Sequence, residues 1–128
     1  TKKDLQELYW MKKNIKKLEE ELADLECEVT KTTELIKVQR GAHSTDDKLG
    51  DLVSKMVDLQ NEINKQLQKY YERVKYVERK IEALPPREAL LIRLRYIEHK
   101  NWYEIAYEMN YSWRQVHNIH AEALKMLA

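Results

Sequence analysis

The chain of 128 residues contains no phenylalanine, two glycines, two prolines and a single cysteine. So little glycine and proline leaves few turn formers and favours long helices over sheets. The lone Cys27 cannot close an internal disulfide, which fits a reducing compartment such as the cytoplasm. No apolar run approaches the roughly 20 residues of a membrane span, so no membrane partner is expected. No signal-peptide pattern is visible, although a chain opening on Thr1 leaves room for a short leader ahead of it. An excess of charge of one sign is missing too, with 23 Lys and Arg against 22 Asp and Glu. A nearly neutral chain is not a bulk polyanion binder, and any contact with nucleic acid must come from a local patch. What the chain has in quantity is charge itself, at 35% of residues. The question is how that charge is arranged around the apolar positions.

From about Lys3 to Val38 the arrangement is a heptad. Leu8, Ile15, Leu22, Val29 and Ile36 recur every seven residues, and Met11, Leu18, Leu25 and Thr32 follow the first four by three. These are the a and d positions of a helix with one apolar seam. The intervening lysines and glutamates fall on the far side, as a solvated face does. Such a helix cannot bury its seam alone and needs a partner. The stretch from Gln39 to Asp47, with Gly41 among small polar residues, predicts a loop. Periodicity resumes at Leu49, Met56, Ile63, Tyr70, Val77 and Leu84. Leu52 and Leu59 accompany it at an offset of three, whereas Leu67, Val74 and Ile81 do so at an offset of four. The stripe therefore steps sideways near Gln66, as a slight stutter produces. Residues 1–84 are expected to form a long, coiled-coil-like antiparallel helical hairpin. Packing of both helices against a second copy of the chain remains open, and a homo-oligomer is expected.

Pro85-Pro86 ends the hairpin. The residue before a proline is pushed out of the α region, so Leu84 leaves the helix, and Pro86 can open the next one. That next helix carries Leu90, Leu91, Leu94, Tyr96 and Ile97. Two short helices follow, each announced by a cap. Asn101 stands three residues before Glu104, and Ser112 three before Gln115, both in the spacing of a capping box. Ile105, Ala106 and Met109 share one face of the first, while Val116, Ile119, Ala123, Leu124 and Leu127 share one face of the second. Asn110 sits between them, where a left-handed backbone is often required and Asn tolerates it. Residues 85–128 thus form a helix-turn-helix domain. So short a unit is marginal unless it docks on the hairpin or on a second protomer.

With the core assigned, Trp113, Arg114, Gln115, His117, Asn118 and Ala121 are left on the outer face of the last helix. Arg pairs with guanine O6 and N7, and Gln or Asn with adenine N6 and N7. The residues cluster at the N-terminal end of the helix, which is the end inserted into a major groove. They are the candidate contacts to double-stranded DNA. Ordinary solvated surface is the competing reading, Gln115 is shared with its cap, and Trp102 and Tyr111 read first as packing residues. From Pro85 onward six basic residues face five acidic ones, which is weak for a lone DNA module because phosphate neutralisation supplies much of the affinity. Dimerisation, lysines on the hairpin or a larger assembly would have to help. His117 and His120 stand three apart, but no Cys or carboxylate cluster accompanies them, so no metal and no cofactor are expected. No nucleophile–base–acid set or phosphate loop appears, and an enzyme is not expected.

Leu84-Pro-Pro-Arg-Glu88, Leu94-Arg-Tyr-Ile97, Trp102-Tyr-Glu-Ile-Ala106, Tyr111-Ser112, Val116 and Ala123-Leu124 together resemble the fourth conserved region of bacterial sigma-70 factors. The long helical N-terminal part makes the whole similar to small phage and prophage sigma-region-4-like proteins, some of which act as late-gene transcriptional activators. The resemblance implies an all-α fold, a three-helix sigma-region-4-like helix-turn-helix, and base-reading positions at Trp113, Arg114, His117 and Asn118. It also implies RNA polymerase as a partner. His99 and Asn110 depart from it, standing where the family usually has glycine, and the chain carries no counterpart of the other sigma segments. The expected function is a sequence-specific DNA-binding transcription regulator of phage type. The alternatives are a module docking on RNA polymerase or a phage protein, and the DNA-recognition subunit of a phage packaging machine.

Overall fold

The computed structural model describes residues 2–38 and 43–128, with the side chains of 43–46 excepted. The described residues form helices and no strand. α1 runs Lys2–Val38 and α2 runs His43–Ile81. Of the loop expected over Gln39–Asp47, residues 39–42 lie outside the described residues, and 43–47 are helical instead. Small polar residues are mediocre in a helix interior but acceptable at its start, and Asp47 puts negative charge near the positive end of the helix dipole. Gly50, inside α2, meets no neighbour where a Cβ would stand.

One compact unit comprises residues 13–68, the greater part of α1 and α2. Its seam is the heptad stripe. Ile15, Thr32, Leu52 and Ile63 are buried, and Leu18, Leu22, Leu25, Val29, Ile36, Leu49, Met56 and Leu59 are half-buried. Gln66 and Leu67 are both half-buried, which places the sidestep of the stripe where the offset changes from three to four. The apolar residues off the seam, Leu35, Val38, Val53 and Val57, are exposed.

The other unit joins the first turns of α1, to Lys12, with residues 69–128. Within it α1 and α2 are antiparallel. Arg73 lies 3.4 Å from Asp4 Oδ1 and 3.1 Å from Glu7 Oε2, whereas Lys12, further along α1, lies 5.8 Å from the ring of Tyr70, which is earlier on α2. Those part-exposed ion pairs fix register more than they stabilise. Burial stabilises, and Leu5, Leu8, Val77 and Ile81 are almost wholly removed from water. Leu5, Val77 and Ile81 surround one small hollow together with Leu127 at the far end of the chain. Leu5 lies outside the heptad and is buried by this meeting of remote segments.

After Ile81 the chain tightens. The N–H of Ala83 donates to the Lys80 carbonyl and that of Leu84 to the Ile81 carbonyl, so the last carbonyls of α2 are satisfied before Pro85 forbids another turn. α3 (Pro86–Ile92) opens with proline in its first turn. The helix expected to continue through Ile97 instead widens into a π-helical turn over Arg93–Ile97, with the Glu98 N–H reaching the Arg93 carbonyl at 2.9 Å. Leu91, Ile92, Leu94 and Tyr96 are buried, but Leu90 is 44% exposed. His99 then takes φ 58°. A left-handed residue favours glycine, and here the side chain explains the exception: His99 Nε2 lies 3.1 Å from the hydroxyl of buried Tyr70. α4 (Trp102–Met109) and α5 (Trp113–Leu127) complete the chain.

Candidate nucleic-acid interface

Both short helices begin as their sequences predict. Asn101 Oδ1 accepts from the Glu104 N–H at 2.9 Å while Glu104 Oε1 accepts from the Asn101 N–H at 3.4 Å. Ser112 Oγ accepts from the Gln115 N–H at 3.2 Å, and Gln115 Oε1 accepts from the Ser112 N–H at 2.9 Å. Between them Asn110 adopts φ 57° and ψ 38°. The N–H of Tyr111 reaches the Ala106 carbonyl at 3.1 Å and that of Asn110 reaches Tyr107 at 3.3 Å, the bonding of a Schellman turn. Asn110→Ala is expected to destabilise by about 1–2 kcal/mol, because a Cβ-bearing residue without a local polar partner resists this backbone. Asn110→Gly should be tolerated or slightly stabilising. Urea denaturation of the two variants checks the order, and a more stable Ala variant would contradict it.

Val116, Ile119 and Ala123 are buried, and they orient α5. On the opposite side Arg114, Asn118 and Ala121 are exposed, spaced four and three apart on one stripe. Gln115 is exposed as well, but its oxygen is engaged in the cap, and bidentate pairing with adenine needs that oxygen. Trp113 is 51% exposed, and His117 is half-buried. The stripe and its flank are thus brought together at the N-terminal half of α5.

The flank holds residues that sequence reasoning missed or read only as packing. His117 is sandwiched, with ring centroids 3.8 Å from Trp113 and 4.3 Å from Trp102. Trp102 also meets His120 edge-on at 4.8 Å. Arg95 lies 4.4 Å from the Trp102 ring while donating to the Lys100 carbonyl at 3.1 Å. The Tyr96 hydroxyl lies 2.6 Å from His120 Nε2. A signal existed in the sequence, since Trp113, His117 and His120 stand four and three apart on one flank. The ring and guanidinium partners come from other elements and carry no such signal.

Burial, first, and the nearby charges of Lys2, His117 and Arg95 hold His120 well below its usual range, at about 4. It is therefore neutral at pH 7 and hydrogen-bonded to the hydroxyl of Tyr96, whose own pKa burial pushes up. The folded pKa lies below the unfolded value of about 6.5, so the unfolded chain binds more protons between the two. His120 accordingly contributes stability in full above pH 6.5, and that contribution is lost as pH falls towards 4. Between pH 7.5 and pH 5 the melting temperature of wild type should fall further than that of His120→Gln. Equal falls would overturn this role.

Charge pairing sharpens the interface. Arg87 bonds Glu88 at 2.8 Å, Arg93 bonds Glu78 at 3.2 Å, Lys100 bonds Glu108 at 2.7 Å and Lys125 lies 3.8 Å from Glu122. Among the described residues, that leaves Arg95 and Arg114 as the cations of the terminal segment without a carboxylate partner. Arg95 is covered by Trp102, whereas Arg114 is open to solvent. Arg114 thus places one open positive charge on the exposed stripe. No group of three or more His, Cys, Asp or Glu among the described residues is placed to hold a metal ion. None of the described helices is long and apolar enough to cross a membrane.

Residues 81–128 match the family model of sigma-70, region 4. The match covers the terminal helices from the end of α2 onward, and it supports a sigma-70 region-4-like, DNA-binding helix-turn-helix with a role connected to transcription. No curated protein and no solved structure matches the chain.

Proposed function

We propose that the protein is a sequence-specific DNA-binding transcription regulator of phage type, in which residues 85–128 read DNA and the helices of residues 1–84 act as spacer and oligomerisation element. The observation that carries this reading is the exposed stripe of Arg114, Asn118 and Ala121 at the start of a capped second helix, with Arg114 uncompensated. Such a stripe faces the groove when the helix is inserted by its N-terminal end. The phage connection rests on the combination of a region-4-like end with long helices. RNA polymerase is the expected second partner, and the protein is expected to act as a homo-oligomer.

Selection of genomic fragments bound by the full chain, followed by titration in rising salt, tests the reading. Recovery of a common motif and a steep loss of affinity with salt are expected, because phosphate contacts release counterions. A dimer on a two-fold site should show half-sites about 10 bp apart or a multiple of it. Failure to enrich any motif would overturn the proposal.

One observation favours a second reading. Tyr103 and Tyr107 stand one turn apart on α4 and are 77% and 87% exposed, the sort of aromatic surface that protein interfaces use. The helix-turn-helix would then dock on RNA polymerase or a phage protein, and binding would respond weakly to salt.

A further inference from the structure

We propose that Trp113, held in place by His117 and Trp102, reads a thymine in the major groove through its C5-methyl group and O4. This rests on the DNA-binding reading above and adds a base class to one of its residues.

Trp113 is the first residue of α5, at the end that a recognition helix inserts. Its indole is half exposed yet not free to swing. The ring lies 3.8 Å from His117, centre to centre, and His117 is backed at 4.3 Å by Trp102. Trp102 is itself fixed between Arg95 and His120. A side chain ordered in advance gives up little freedom on binding. His117 and Trp102 are thus positioning residues.

The chemistry of the exposed part then selects the base. Indole offers one N–H donor beside apolar ring carbon and has no acceptor. Among the described residues no hydrogen-bond partner is found for that N–H. In the major groove guanine shows two acceptors, adenine an acceptor and a donor, and cytosine a donor. Thymine alone shows an acceptor next to a methyl group, which is the complement of an indole edge.

The test uses the full chain and the DNA site it selects, with each thymine replaced in turn by deoxyuridine, which lacks only the methyl group. At one position the replacement should weaken wild-type binding about fourfold, the worth of one buried methyl. Trp113→Ala should bind more weakly and be indifferent to the replacement, while Trp113→Phe keeps the sensitivity. Trp102→Ala should blunt it, and Trp102→Phe should restore it. The Trp113 variants alter an exposed side chain and decide the matter even where Trp102→Ala fails to fold. A wild type indifferent to uracil at every position, or a Trp113→Ala protein that keeps the sensitivity, overturns the inference and leaves the DNA reading standing. Failure to select any site overturns both.

Discussion

Residues 85–128, expressed without the preceding chain, are expected to show no cooperative unfolding transition, whereas the intact chain unfolds cooperatively. The reason lies in what the fragment omits. Leu5, Leu8, Val77 and Ile81 are at most 2% exposed and belong to the same compact unit as the terminal helices. Each fully buried aliphatic side chain contributes about 1.5–3 kcal/mol, so together they are worth on the order of 10 kcal/mol before entropy is counted. That is comparable to the net stability of an ordinary domain, about 5–15 kcal/mol. The fragment also loses the Tyr70–His99 contact that holds a left-handed turn and the ion pair of Arg93 with Glu78. So short a chain has little core of its own to replace them. Thermal unfolding followed by near-ultraviolet circular dichroism distinguishes the outcomes. A sharp transition for the fragment would show that the helix-turn-helix stands alone.

Arg114→Ala is expected to weaken binding to the selected site by about 1–3 kcal/mol if the guanidinium reads a base, roughly a five- to 150-fold rise in Kd. Among the basic residues of the terminal segment it combines exposure, absence of a carboxylate partner and a place at the inserted end of α5. The substitution also separates reading from steering. A base contact relaxes specificity at one position, whereas a phosphate contact weakens all sequences alike and lowers the salt slope by about one. The fold should survive, since the residue is exposed and lies opposite the buried Val116 and Ala123. Equal affinity of wild type and variant in a mobility-shift titration would remove Arg114 from the interface.

Local signals in the sequence carried far. The heptad stripe of Leu8, Ile15 and their successors shows which face of α1 is buried, because amphipathic period and burial share one cause. The two capping boxes and the left-handed Asn110 were legible because a helix end must satisfy its own orphan groups within a few residues. Three things were not legible. Leu5 looks like a residue off the seam until remote Leu127 and Ile81 arrive around it. The polar run 43–47 reads as a loop, since turn formers and helix starters overlap in type. The aromatic cluster escaped because Arg95, Trp102 and His117 come from three separate elements, and no periodicity links them.

The π-helical turn at Arg93–Ile97 has a consequence for how the sequence tolerates change. A wide turn holds one residue more than an α turn, and each residue in a helix advances the phase by about 100°. That surplus residue sets the azimuth at which Arg95 and Tyr96 leave the backbone, and with it the side on which Trp102 and His120 are met. Deleting a single residue there would let the segment relax into an ordinary helix and change the register in which Arg95 and Tyr96 meet Trp102 and His120. This stretch can therefore exchange side chains of similar shape, but its length is quantised.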